Sequence, residues 1–171
     1  MGSRHGADSR REFEEFAHTR GTALFRTALL LCGVWHLAED LTQSALARIY
    51  SSWGRVRRAD SPEAYARSVL VRTYLSHQRL RRSGERPAIG ELPEQEATTE
   101  DHSLRITLLA ALALLPPRDR AVLGLRYWED RSAEETAAEL GLSVGAVRVR
   151  SLRALNRLRA QLGEQLAGLG G

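Results

Sequence analysis

Residues 132–159 constrain this chain most: S-A-E-E-T-A-A-E-L-G-L-S-V-G-A-V-R-V-R-S-L-R-A-L-N-R-L-R. They read as two helices joined by one tight turn. Ser132 caps the first, and Glu135 three residues on completes a capping box. Ala133, Ala137 and Leu140 share one face. Gly141 follows the last apolar residue, where a left-handed backbone is wanted and glycine adopts it at least cost. Leu142 is an apolar hook in the turn, and Ser143 is a second N-cap.

The second helix divides cleanly on a 3.6-residue wheel. Val144, Val147, Ser151, Ala154, Leu155 and Leu158 fall on one side. The other carries Gly145, Ala146, Val149, Arg153 and Asn156, flanked by Arg150 and Arg157, with Arg148 near the edge of the packed face. A small residue at 137, a glycine at 141 and an apolar residue at 147 let two helices cross closely, as a helix-turn-helix requires. The outward face of such a second helix enters the DNA major groove. The competing reading is an amphipathic hairpin whose arginines are only solvated.

Charge supports a polyanionic partner. The 171 residues carry a formal charge of +4 and a sequence pI near 9.9. Every basic residue is Arg, since no Lys occurs, and the planar guanidinium fork suits phosphate and guanine. Cys32 is the single cysteine, so an internal disulfide is excluded and a reducing, cytoplasmic setting is expected. The N-terminus lacks an apolar signal core, and the longest apolar run, 28–32, is far short of the ~20 residues of a membrane span. No phosphate-binding glycine loop, nucleophile–base pair or clustered metal ligands occur. The chain is therefore expected to be no enzyme and to need no cofactor, metal or small-molecule substrate.

Taken in order, residues 1–10 read as a disordered tail. A helix follows from Glu12 to Leu31, ended by Gly33. From His36 to Trp53, Ala38, Leu41, Ala45 and Ile49 face inward. Asp40, Gln43 and Ala47 form an opposite stripe, flanked by Glu39 and Tyr50. That stripe is either a flat acceptor-rich surface for an Arg-bearing partner helix or a solvated face. Residues 54–60 are a basic loop with Arg55, Arg57 and Arg58. Ser61-Pro62-Glu63 restarts a helix that runs to Arg82. Arg67, Tyr74, Gln78 and Arg81 form one polar stripe along it, and Arg79, Arg81 and Arg82 make its end basic. Such a stripe suits single-stranded DNA, by stacking and phosphate neutralisation; equally, Tyr74 is a core ring and the arginines favour a helix C-terminus. Residues 83–102 form an acidic linker punctuated by Pro and Gly. Helices over 103–115 and 118–128 lead into the helix-turn-helix, and 164–171 are a Gly-rich tail. The fold expected is all-α, with two small helical domains, 11–82 and 103–163, on a flexible acidic tether.

These stretches resemble a known family. L-P-P-R-D-R-A-V-L-G-L-R-Y-W-E-D-R followed by the helix-turn-helix looks like region four of an extracytoplasmic-function sigma factor of the sigma-70 family. A-E-D-L-T-Q-S-A-L-A-R-I-Y resembles that family's region-two helix, and P-E-A-Y-A-R-S-V-L-V-R-T-Y-L-S its promoter-melting helix. The likeness spans residues 12–160, and the closest subgroup is the short actinobacterial SigE type. The resemblance implies a transcription initiation factor that binds RNA polymerase core through the β′ clamp helices and the β flap. It gives Glu39, Asp40, Leu41 and Gln43 the core-docking role. It gives Arg55, Arg57, Arg58, Arg67, Tyr74, Gln78, Arg79, Arg81 and Arg82 the melted minus-ten strand. Gly145, Ala146, Arg148, Val149, Arg150, Arg153 and Arg157 match the minus-thirty-five reader, with Ala146 and Val149 placed to meet thymine methyls. Arg72 stands where family members commonly carry Asn. An anti-sigma factor is a further partner of the kind the family takes. The alternative is a stand-alone helix-turn-helix regulator that needs no polymerase.

Overall fold

In the computed structural model, residues 2–81 and 99–169 are described, with side chains from 6 to 81 and from 103 to 164. All the regular structure among them is helical. The first module holds α1 (Gly2–Cys32), α2 (Trp35–Ser51), the single turn α3 (Trp53–Val56) and α4 (Pro62–Arg81). The second holds α5 (Thr99–Ala113), α6 (Pro117–Leu123) running into a wide π turn at Gly124–Trp128, α7 (Ala133–Leu140) and α8 (Val144–Leu169).

The expected apolar stripes are the buried ones. Ala38, Leu41, Ala45 and Ile49 of α2 close on α1 and α4. Phe13, Phe16 and Trp53 add an aromatic cluster, with ring centroids 5.1–5.5 Å apart at Trp53. Gly33, at φ +70°, turns the chain between α1 and α2. Such a backbone costs an L side chain about 1–2 kcal/mol. In α8, Val147, Ser151 and Ala154 are buried, with Val144, Leu155 and Leu158 packed beside them.

Three boundaries differ from the sequence reading. Gly2–Cys32 is one continuous helix, where the composition of residues 1–10 predicts a disordered tail. Its early turns carry the pairs Arg10–Glu14 and Arg11–Asp8, at spacings that favour helix. At the other end, α8 continues to Leu169 rather than giving way to a tail at 164. Helix α5 begins at Thr99, inside the stretch read as linker; the linker residues 82–98 lie outside the described part.

The two expected modules pack against each other. One buried cluster runs from Leu24, Leu31, Leu70 and Tyr74 of the first module into Ala121, Val122, Leu125 and Val147 of the second. Leu30 of α1 packs on Leu112, Leu115 and Leu123. Arg120 of α6 is buried and donates to the carbonyl of Leu31, 2.5 Å, and of Ala113, 3.2 Å. Leu31 belongs to the last turn of α1, whose carbonyls have no partner within their own helix and attract a cation. Periodicity marks which face of a helix is apolar, but not which neighbour meets it, so this docking was not readable.

Candidate nucleic-acid interface

The helix-turn-helix is built as its residues dictate. Glu135 N–H donates to Ser132 Oγ, 3.0 Å, while Ser132 N–H donates to Glu135 Oε2, 2.8 Å. The bond from Ser132's backbone, aided by the charge of Arg131, holds the Glu135 carboxyl below the usual carboxylate range. Gly141 takes φ +64°, and Leu142 N–H returns to the carbonyl of Ala137, 2.9 Å. Ser143 Oγ accepts from Ala146 N–H at the start of α8, 3.1 Å.

The outward face of α8 is open. Gly145, Arg148, Val149, Arg153 and Arg157 are exposed, and Ala146 is half-buried. Val149 is 53% exposed, so two small apolar side chains stand among arginines. Arg148 leans on Glu134, 3.4 Å. Arg150 is half-buried and held by Asp119 of α6, 2.7 Å, and Arg157 approaches the same carboxylate at 3.9 Å. Asp119, whose side chain is only 5% exposed, thus fixes one edge of the basic face. A pre-positioned guanidinium loses less side-chain entropy on meeting phosphate.

On the first module, Glu39, Asp40 and Gln43 are exposed on one edge of α2. Glu39 is steadied by Trp35 Nε1, 3.0 Å. Leu41 is the exception: it is core, 3% exposed, and supports this edge from below instead of presenting itself to a partner. The stripe predicts as much, since Leu41 shares the face of Ala38 and Ala45.

The expected strand-binding set is divided. Arg55, Arg58 and Arg79 are exposed. Arg57 is exposed but tied to Glu12 of α1, 2.8 Å, and beside it Arg20 pairs with Glu63, 2.7 Å. These two pairs border an open cavity of about 370 Å³ lined in part by Phe16 and Trp53. Gln78 and Arg81 are half-buried, and Arg82 lies outside the described residues. Arg67 and Tyr74 are a correction to the expected surface stripe. The Tyr74 ring is fully buried, and burial pushes its phenol up to about 12, with Arg120 opposing. It is a core ring and has no face free for a base. The Arg67 side chain is 12% exposed and pairs with Glu129, 3.0 Å, and with Glu139, 3.8 Å.

Glu129, Glu139 and Arg120 therefore matter to this surface and were missed. Each is an unremarkable charge in sequence, and no local spacing relates position 67 to 129. Among the described residues, no group of three His, Cys, Asp or Glu is placed to hold a metal, and Cys32 is a buried free thiol that donates to the carbonyl of Val34.

Comparison with known proteins converges on one family. Residues 13–84 match the model of sigma-70 region 2, and residues 111–160 that of sigma-70 region 4. The chain is 42% identical over 153 residues to the RNA polymerase sigma-E factor of Streptomyces coelicolor, covering 88% of this chain and 86% of the relative. It is 35% identical over 143 residues to the ECF RNA polymerase sigma factor ShbA of Streptomyces griseus, covering 76% and 73%. The fold is shared with the sigma factor RpoE crystallised with the anti-sigma factor NepR from Bartonella quintana: TM-score 0.74 at 22% identity, over 90% of this chain and 98% of that one. Two regions matched in order, with the helix-turn-helix formed and its basic face exposed, leave no place for the stand-alone regulator. The chain belongs to the extracytoplasmic-function group of the sigma-70 family and is an RNA polymerase sigma factor, a non-enzymatic protein that directs transcription initiation.

Proposed function

We propose that the two modules divide promoter recognition, with residues 11–82 serving the minus-ten element and core docking and residues 103–163 the minus-thirty-five element. The α2 edge of Glu39, Asp40 and Gln43 meets the β′ clamp helices of RNA polymerase core, with Leu41 acting only as its support. The second module seats on the β flap. Gly145, Ala146, Arg148, Val149, Arg150, Arg153 and Arg157 line the duplex-reading face. Arg55, Arg57, Arg58, Arg79 and the Arg67 side of α4 track the melted strand. The acidic linker keeps off DNA, since phosphate repels it, and threads the polymerase channels. The protein works in the cytoplasm; no helix among the described residues is long and apolar enough to cross a membrane. The partner class that an anti-sigma factor represents is proposed for it as well. The observation that carries this reading is the open arginine face after the Gly141 turn.

In-vitro transcription with core polymerase on GC-rich promoters tests it. Arg153→Ala should weaken use of the upstream element by about 1–3 kcal/mol if that side chain meets a base. Promoter-independent loss, or none, removes Arg153 from the reader. The double variant Asp40→Ala, Gln43→Ala should keep its helical spectrum and lose core polymerase in a pull-down. Retained pull-down discards that edge as the docking site.

A further inference from the structure

The arginines on the outward side of α8 are not equivalent. Arg150 and Arg157 lie close to two helical turns apart, about 10 Å along the axis, so they share one flank. Both lean toward the same carboxylate. Asp119 Oδ1 accepts from Arg150, 2.7 Å, and Asp119 Oδ2 lies 3.9 Å from Arg157. Arg148 pairs with Glu134 at 3.4 Å, but both side chains stay largely in water, and such a surface pair constrains a side chain little. Arg153 stands nearer the middle of the open face, and among the described residues no carboxylate pairs with it.

Asp119 lies in the first turn of α6 and is buried. An acid in a first turn favours its own helix, which accounts for the charge but not for its burial beside a second helix. Burying a carboxylate is costly unless it is paired, and here each oxygen faces one guanidinium. Two guanidiniums and one carboxylate leave a single net positive charge along the edge of α8 nearest α6. The stronger of the two pairs draws the Arg150 guanidinium sideways, off the central line of Val149 and Arg153. When a helix lies in a major groove, its central line faces base edges and its flanks face the phosphates of the groove walls.

We propose that Asp119 is a positioning residue for promoter recognition. It commits Arg150, with Arg157 beside it, to the DNA backbone, and so leaves Arg153 as the guanidinium that reads a base edge. This rests on the reading of α8 as the duplex-facing helix. Charge alone predicts the opposite role for Asp119. A carboxylate beside a polyanion repels it, so neutralising Asp119 would tighten DNA binding. Positioning predicts weaker binding, because an untethered Arg150 has to be ordered at the moment of contact.

The test uses the full chain in holoenzyme. The probes are a promoter duplex from which it initiates and the same duplex with the upstream element scrambled. Circular dichroism reports the fold of each variant. Arg150→Ala should weaken both duplexes by a similar factor and lower the salt dependence by about one phosphate contact. Arg153→Ala should instead narrow the preference for the intact element by roughly tenfold. Asp119→Asn should weaken both duplexes about threefold to tenfold, and should add nothing in the Arg150→Ala background. An Asp119→Asn holoenzyme that binds DNA more tightly, or that loses as much without Arg150 as with it, overturns the positioning role. So does an Arg150→Ala holoenzyme that narrows the preference, since Arg150 would then read a base. That measurement leaves Asp119 unchanged, and it decides the matter even where Asp119→Asn fails to fold. If no arginine variant alters binding to either duplex while core polymerase is retained, the reading of α8 itself falls, and the proposal with it.

Discussion

Ser132 and Glu135 show how much two side chains decide. Between them they satisfy two donors at the start of α7 that have no partner within the helix. Ser132→Ala should cost about 1 kcal/mol of unfolding free energy, read from urea denaturation. The pH dependence has a definite sign. Glu135 titrates below its ordinary 4.5 when folded, so the folded state binds this proton less readily than the unfolded one. The stability it lends is present above pH 4.5 and is lost as pH falls through the lowered folded value. Melts of wild type and Glu135→Gln should therefore converge toward acid. A gap that stays constant below pH 4.5 would show that the carboxylate is not the source.

At the scale of elements, the turn between α7 and α8 matters most, because it fixes the angle at which α8, the proposed reader, leaves its support. Gly141 is exposed, with open space where a Cβ would stand, so its restriction is purely conformational. Gly141→Val should destabilise by about 1–2 kcal/mol through the positive φ alone. It should impair minus-thirty-five use more than core binding. Equal losses in both assays would show that the whole module had been disturbed. The π turn is the other telling element. Sequence periodicity expects an ordinary helix over 118–128, and the chain instead widens at Gly124–Trp128. Gly124 lies against Leu31 and Leu30 of α1 there, so the widening coincides with the place where the modules meet, as such turns often do at working sites.

For the whole molecule, the joint between modules combines an apolar seam with buried ions. Arg120 is its second bolt, with carbonyls of both modules as acceptors. Removing it by Arg120→Met leaves the Leu31 carbonyl unpaired, and should cost about 1–3 kcal/mol. The expected signature is faster amide exchange at the C-terminal turn of α1 and at α6 in the free chain. An effect spread evenly over α2 and α8 would mark Arg120 as an ordinary fold determinant.

The local devices were legible: the capping box, the left-handed Gly141, the Ser143 cap, the inward faces of α2 and α8 and the open arginine face all depend on residues within two turns of one another. Family membership was legible for the same reason, since it rests on contiguous motifs. The burial of Arg67 was not, and for Tyr74 the sequence left a core ring and a surface ring equally open. The stripe on α4 is polar by composition, and Arg67 turns inward only because Glu129 and Glu139 reach it from more than sixty positions away. Glu129 gained its meaning in the same way, from a turn geometry and two distant donors, Thr27 and Arg67. Hydrophobic period and capping are short-range properties of a chain, and so the sequence by itself determined the modules. Which faces they present to each other depends on shape and charge meeting across a gap in the chain, and only the tertiary structure decided that.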